Sequence, residues 1–210
     1  MDIFNSVSEN ARRSFEARSL ARDKALARAR DLTRFAAHSI RAIHRSEADL
    51  AHQNLENARA LVEDLKRDLA EYPDLYFAGY TQDAIKEFVE ATLTCALIEN
   101  TAVPAPADLG VEYATYLNGM AETTGELRRR CLDILRQGYS PEAERLLTCM
   151  DEIYSVLVTM DFPDAITYNL RRHTDLVRGI VERTRADLTL ALREQRLQQA
   201  LQDVSSKLGS

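Results

Sequence analysis

The sequence holds little that turns a chain. Seven glycines and five prolines among 210 residues are about half the share in an average protein, where the two together approach ~12%. An all-β sandwich or barrel needs a turn every ~8–12 residues, so this scarcity argues against one. Long apolar runs are also missing. The longest candidate, Ala91 to Ile98, contains two threonines and is about half of the ~18–20 residues of a membrane helix. The start, MDIFNSVSEN, lacks the basic and apolar segments of a secretory signal. Cysteines number only three (Cys95, Cys131, Cys149), widely spaced and without a CxxC. That fits a reducing, cytoplasmic setting and argues against a zinc ribbon or a disulfide framework. There is no Gly-rich phosphate loop, no GxSxG and no HExxH. A ferritin-like di-iron site needs Glu-x-x-His twice, and only Asp49 with His52 comes near that spacing.

Charged residues make up 29% and apolar residues 45%, a balance that argues against wholesale disorder. The length suits one domain or one elongated helical unit, here residues 1–210. Long stretches of helical composition lie between Pro73, Pro104, Pro106, Pro141 and Pro163. Ser6-Val-Ser-Glu9 has capping-box spacing and predicts the first helix start. Leu32, Phe35, Ala36, Ile40 and Ile43 form its apolar stripe, and a second start at Ser46-Glu-Ala-Asp49 predicts a bend or end near Arg45. The second helix runs to about Glu71, with Leu55, Ala58, Leu61, Val62, Leu65 and Leu69 facing the core. A third covers Thr81 to about Glu99. Asp108 is read as the N-cap of a helix ending near Gln137-Gly138, and Ser140-Pro141 as the start of another. The last helix runs from about Asp164 to about residue 202, with Leu170, Leu176, Val177, Ile180 and Leu188 on its stripe. Residues 203–210 are expected to fray. The fold class is all-α, an antiparallel bundle of six or seven helices. Helices near 40 residues are ~60 Å long, longer than a compact chain of this mass is wide, so an oligomer is expected.

The net charge of −6 is unevenly spread. Residues 1–45 hold ten Lys/Arg against five Asp/Glu, and the remaining 165 hold 17 against 28. A basic arm on an acidic body suits a polyanion partner. A solvated helix with Arg–Glu pairs at i±4 has the same composition.

Two carboxylate pairs stand out: Glu87 with Glu90 in KEFVEA, and Glu122 with Glu126 in AETTGEL. Each spacing places both groups on one helix face. Where two such faces meet, four carboxylates repel unless a cation sits among them. An all-oxygen set suits Mg²⁺ or Mn²⁺. Such an ion polarises a phosphate and acidifies water, the chemistry of phosphodiester hydrolysis. Solvated helix faces carry the same pairs without chemistry. Glu87 and Glu90 flank Phe88 and Val89 in an apolar helix, so at least one is expected to point inward. Gly119 and Gly125 lie within a helix, each costing about 1 kcal/mol relative to Ala, which suggests close packing beside Glu122 and Glu126. Arg128-Arg129-Arg130 follow directly and can hold a phosphate or form surface ion pairs. His38, His44, His52 and His173 are scattered. Tyr72, Tyr76, Tyr80, Tyr113 and Tyr116 can stack on bases or pack at helix ends.

These segments resemble the translin/TRAX family. YLNGMAETTGELRRRCLD, residues 116–133, is similar to its hallmark segment. DAIKEFVEA, residues 83–91, is similar to the helix carrying the first acidic pair of TRAX-type members. RDKALARARDLTRFAAHSIRAIHR, residues 22–45, resembles the basic first helix, and residues 169–194 resemble the long closing helix. The length and short loops resemble the TRAX-like proteins of archaea and other prokaryotes. The resemblance implies a helical bundle assembling into a barrel-like oligomer, commonly an octamer. Translin-type subunits bind single-stranded RNA and DNA, and TRAX-type subunits are Mg²⁺-dependent endoribonucleases. By position the catalytic and metal-binding carboxylates would be Glu87, Glu90, Glu122 and Glu126, with Mg²⁺ or Mn²⁺ as cofactor. The expected function is therefore cleavage of single-stranded RNA inside a homo-oligomer, with no membrane partner. The alternative is non-catalytic binding of single-stranded RNA or DNA. Two departures are visible. Eukaryotic TRAX-type members usually carry Asp at the position of Glu122. The translin-type basic stretch before the third helix is replaced by YPDLYFAGYTQDA, which has no Arg, Lys or His. Nucleic-acid contact then falls to Arg34, Arg41 and Arg45, helped by Arg128 or Arg129.

Overall fold

A computed structural model describes residues 2–208, and the regular structure among them is all helical. The chain divides into two compact units, residues 1–92 and 93–210. The first holds α1 (Asp2–His44), α2 (Ala48–Asp68), the one-turn α3 (Pro73–Tyr76) and most of α4 (Gly79–Ile98). No Gly or Pro interrupts the first 45 residues, so helix propagates throughout. Ser6 is therefore an interior residue of α1, and its capping-box spacing does not mark the start. The predicted end near Arg45 is present. Ser46 takes the left-handed region at φ 62°, and the amides of Arg45 and Ser46 donate to the carbonyls of Ala42 and Ile43. In that conformation Ser46 cannot cap α2. The N-cap is Glu47, without a side-chain bond.

α1 and α2 are antiparallel neighbours. Near the turn the Ser39 hydroxyl donates to the Ala51 carbonyl at 3.0 Å. Farther from it Arg28 pairs with Asp64 and Asp68, and Arg18 with Asp74. Leu32, Ala36, Ile40 and Ile43 of α1 are buried, as are Ala58, Val62 and Leu65 of α2 and the adjoining Leu69. Phe35, Leu55 and Leu61 are half-buried. Beyond this packed stretch α1 carries Phe4, Val7 and Phe15 in the open, 78%, 59% and 69% exposed. With half-buried Ala11 they follow helical 3–4 spacing along one face.

The second unit holds the end of α4, then α5 (Pro106–Leu109), α6 (Tyr113–Leu135), α7 (Pro141–Leu157), α8 (Asp164–Thr167) and α9 (Leu170–Leu208). Two helices predicted as continuous are broken. Asp108 does not cap a long helix. It sits in α5, where its carboxylate accepts the Ala105 amide at 2.8 Å. Gly110 then turns the chain at φ 62°, a conformation that costs glycine nothing. The last helix is likewise interrupted at Tyr168 and Asn169, both left-handed at φ 50° and 63°. At its far end α9 continues to Leu208, so residues 203–208 are helical rather than frayed; Gly209 and Ser210 lie outside the described residues. The start of α7 is as predicted, with Pro141 in the first turn and the Ser140 hydroxyl accepting the Glu142 amide at 3.2 Å.

α6, α7 and α9 share one core, built on Leu127, Leu146, Met150, Leu170, Val181 and Leu188. Leu176 is not part of it at 54% exposed, because the neighbouring Val177 takes the inward position. α6 and α9 run parallel. Asn118 meets Thr167 and His173, and ten residues later Arg128 meets Thr184 and Asp187. Arg145 fastens α7 to the end of α4 by donating to the Leu97 carbonyl at 2.8 Å and to Asn100 at 3.3 Å. It also grips both oxygens of Glu142 at 2.6 and 2.8 Å, and this hydrogen bonding holds the Glu142 carboxyl below its ordinary pKa. A carboxylate depressed on folding adds stability above its unfolded pKa and loses it as the pH falls through the folded value. Glu142→Gln should therefore lower the melting temperature at pH 7, with the difference shrinking toward pH 3. Thermal denaturation of both proteins at the two pH values checks this.

Gly125 does not support close packing. It is exposed on α6, and a Cβ added there would meet nothing within 4 Å. Gly125→Ala is expected to stabilise the protein by about 1 kcal/mol through helix propensity, read as a rise in denaturation midpoint. Gly119 is buried, and there the packing expectation fits.

Candidate metal and nucleic-acid site

Glu87 and Glu90 stand one turn apart on α4. Ala84, Ile85, Phe88, Val89 and Ala91 bury the other faces of this segment, and the two carboxylates are half-buried beside them. The Glu87 side chain is about one-third exposed and lies 3.8 Å from the Lys86 ammonium. The predicted inward lean is thus partial for both groups.

Glu122 and Glu126 stand one turn apart on α6, both half-buried, with buried Thr123 and Thr124 between them. The Thr123 hydroxyl donates back to Gly119 and that of Thr124 to Ala121, at 3.0 and 2.7 Å. These hydroxyls are satisfied within the helix, which keeps the intervening turn apolar in character. Arg129 lies 3.6 Å from Glu126. Each pair is therefore a hard, all-oxygen donor set on a rigid helix, partly screened from water. Such a set suits Mg²⁺ or Mn²⁺ and discriminates against softer metals.

The basic candidates separate into two groups. Arg34, Arg41 and Arg45 are exposed along α1 and at its end. Arg34 pairs with Asp31 at 3.0 Å and lies over the Phe35 ring. Arg41 and Arg45 have no ion-pair partner among the described residues. Arg128 is different. Its guanidinium donates to the Thr184 hydroxyl at 3.0 Å and pairs with Asp187 at 2.8 Å, with only 23% of the side chain exposed. It joins α6 to α9. Arg129 remains more than half exposed.

The other chemistries have little footing. All three cysteines are free. Burial pushes the Cys131 thiol up to about 12, so it carries no thiolate at neutral pH. His173 meets the Asn118 side-chain oxygen through Nδ1 at 2.6 Å. Tyr116 is buried and donates to the Pro104 carbonyl at 2.9 Å, whereas Tyr113 is 75% exposed.

No protein-family model matches the chain. An uncharacterised protein of Methanocaldococcus jannaschii is 31% identical over 186 residues, which span 87% of this chain and 82% of that protein. Among solved structures, AfC3PO in complex with duplex RNA is 36% identical at a TM-score of 0.84, covering 90% of this chain and 97% of its own. AfC3PO alone gives 0.83 at the same identity. AfC3PO and NeC3PO are C3PO components of the translin/TRAX family. The chain belongs to the translin/TRAX family. Apo-NeC3PO, 20% identical with a TM-score of 0.79 over 87% of this chain, agrees in fold. Membership accounts for the all-α architecture and for the order of the matching segments. None of the helices among the described residues is long and apolar enough to cross a membrane.

Proposed function

We propose that this translin/TRAX protein is a divalent-metal-dependent endoribonuclease acting on single-stranded RNA. Glu87, Glu90, Glu122 and Glu126 would hold Mg²⁺ or Mn²⁺. One observation carries the reading: Glu87 with Glu90 on α4, and Glu122 with Glu126 on α6, each form a half-buried, all-oxygen carboxylate pair one helix turn apart. Carboxylates paired in this way repel, and a hard cation relieves that repulsion. When bound, the cation supplies Lewis acidity toward a phosphate and acidifies water. Whichever of the four is left free of the cation would accept the proton, Glu126 among them. The paired Arg129 neutralises charge beside Glu126.

RNA as the ligand class draws support from AfC3PO, solved with duplex RNA at 36% identity. Arg34, Arg41, Arg45 and Arg129 supply exposed cations for the backbone, while Arg128 positions α6 against α9. The bare apolar faces of α1 and α9 fit burial in a homo-oligomer, and the family resemblance makes an octamer the expected size. Leu190, Leu197, Leu201 and Val204 line the α9 face. Free thiols fit a cytoplasmic setting.

The test is cleavage of end-labelled single-stranded and duplex RNA by the purified chain, with Mg²⁺ and with EDTA. Internal cuts in the single strand that need the metal are expected. RNA left intact in both conditions, while bound at low salt, would replace the reading with that of a binding protein.

A further inference from the structure

The first unit contains a groove whose lining repeats one pattern on two helices. Leu26, Ala29, Arg30 and Thr33 of α1 line it, and so do Tyr80, Asp83, Ala84 and Glu87 of α4. Each set follows the spacing 0, 3, 4, 7, so each is one helix face about 10 Å long. The volume is about 490 Å³, within the ~300–1,000 Å³ of small-ligand sites. Glu87 lines this groove and is one of the carboxylates proposed above to hold the metal.

Its chemistry is mixed in a specific way. Leu26, Ala29 and Ala84 give apolar surface and Tyr80 an aromatic one. Arg30 and Asp83 are both exposed, and neither has an ion-pair partner among the described residues. They line one groove with opposite charges yet do not neutralise each other. A ligand that suits both has an anionic group for the guanidinium, a flat apolar body, and N–H donors for the carboxylate. A nucleotide whose base carries an exocyclic amine has all three. Carboxylates accept from the cytosine N4 amine, whereas uracil presents a carbonyl oxygen at that position and would be repelled. Unstacked bases of single strands are read in this way, on aromatic surfaces and at their Watson–Crick edges.

We infer that this groove is a nucleobase subsite beside the metal site, in which Asp83 selects an amine-bearing base over uracil and Arg30 holds the adjoining phosphate. The inference rests on the ribonuclease reading for its ligand, single-stranded RNA, but not for its assay.

The experiment is equilibrium binding of labelled oligocytidine and oligouridine to the full chain, in EDTA, by fluorescence anisotropy. The wild type should prefer cytidine by about tenfold. Asp83→Asn should bring the two affinities to within about twofold, because an amide can either accept from the cytosine amine or donate to the uracil oxygen. Arg30→Ala should weaken both and make the salt dependence shallower by about one phosphate contact. Asp83 is exposed and Asn is isosteric, so the variant keeps the fold; an unchanged circular dichroism melt confirms it. Equal binding of the two oligomers by the wild type, or an undiminished preference in Asp83→Asn, overturns the inference. Metal-dependent cleavage alongside equal binding would overturn the subsite alone. A cytidine preference without cleavage would support the subsite and remove the nuclease.

Discussion

Glu122→Gln should reduce metal-dependent RNA cleavage by at least about a hundredfold while leaving RNA binding in EDTA within a few-fold of wild type. The substitution preserves shape and removes one negative charge. The loss falls on the cation, since a neutral amide oxygen is a weaker ligand than a carboxylate, and even partners one shell farther out cost 10–100-fold when removed. Binding in EDTA is carried by phosphate contacts, which Glu122 does not make. Glu122→Asp gives a second readout. Eukaryotic TRAX-type members usually have Asp at this position, and the shorter side chain withdraws the carboxylate by one methylene. If metal geometry sets the rate, the Asp variant cleaves at a rate different from wild type but well above Glu122→Gln. Equal activity in all three proteins would remove Glu122 from the site. Measured single-turnover rates at saturating Mg²⁺ decide between these outcomes.

The largest stability loss from a polar change is expected at Asn118. This residue is 3% exposed, and its amide donates to the carbonyls of Ala114 and Thr167, both at 2.8 Å. Its oxygen meets His173 Nδ1 at 2.6 Å. One side chain thus ties α6 to the break between α8 and α9, where Tyr168 and Asn169 hold left-handed conformations. Asn118→Leu would leave the Thr167 carbonyl and the His173 ring without these partners and put an isobutyl group among polar atoms. Unsatisfied buried groups cost about 1–3 kcal/mol each, so a loss of about 3 kcal/mol is expected, read as a lower denaturant midpoint at unchanged slope. A loss under about 1 kcal/mol would show that water takes over the role. Asn118 lies within residues 116–133, so part of what makes that segment recognisable serves the chain break rather than chemistry.

That double role explains which features were legible in the sequence. The long apolar stripes of α1 and α2, most of that of α9, and the Ser140-Pro141 start could be read because burial and capping act locally and with fixed periods. The break between α8 and α9 could not. Tyr168 is not a turn residue, and the break is fastened by a contact 49 residues away, Asn118 to Thr167. Ser6 and Ser46 show the converse, a cap pattern without a cap, because helix already surrounds the first and a left-handed turn takes the second. The four glutamates were visible from spacing and from the family's segments. Arg128 was visible as a cation, but its engagement by Thr184 and Asp187 depends on α9 lying parallel to α6, which no local pattern encodes. Asp83 sits in DAIKEFVEA but does not stand out there. The matching 0, 3, 4, 7 spacings of residues 26–33 and 80–87 have meaning only once the two faces line one groove.

The most direct measurement is a Mn²⁺ titration of the full wild-type chain followed by electron paramagnetic resonance, with Glu90→Gln and Glu122→Gln beside it. Loss of the free-ion signal at about one or two Mn²⁺ per chain in the wild type, and a marked weakening in both variants, is the result predicted for a carboxylate site that binds a hard cation. Mn²⁺ that stays free in the wild type, or binds all three proteins alike, would contradict the metal site and with it the proposed reaction.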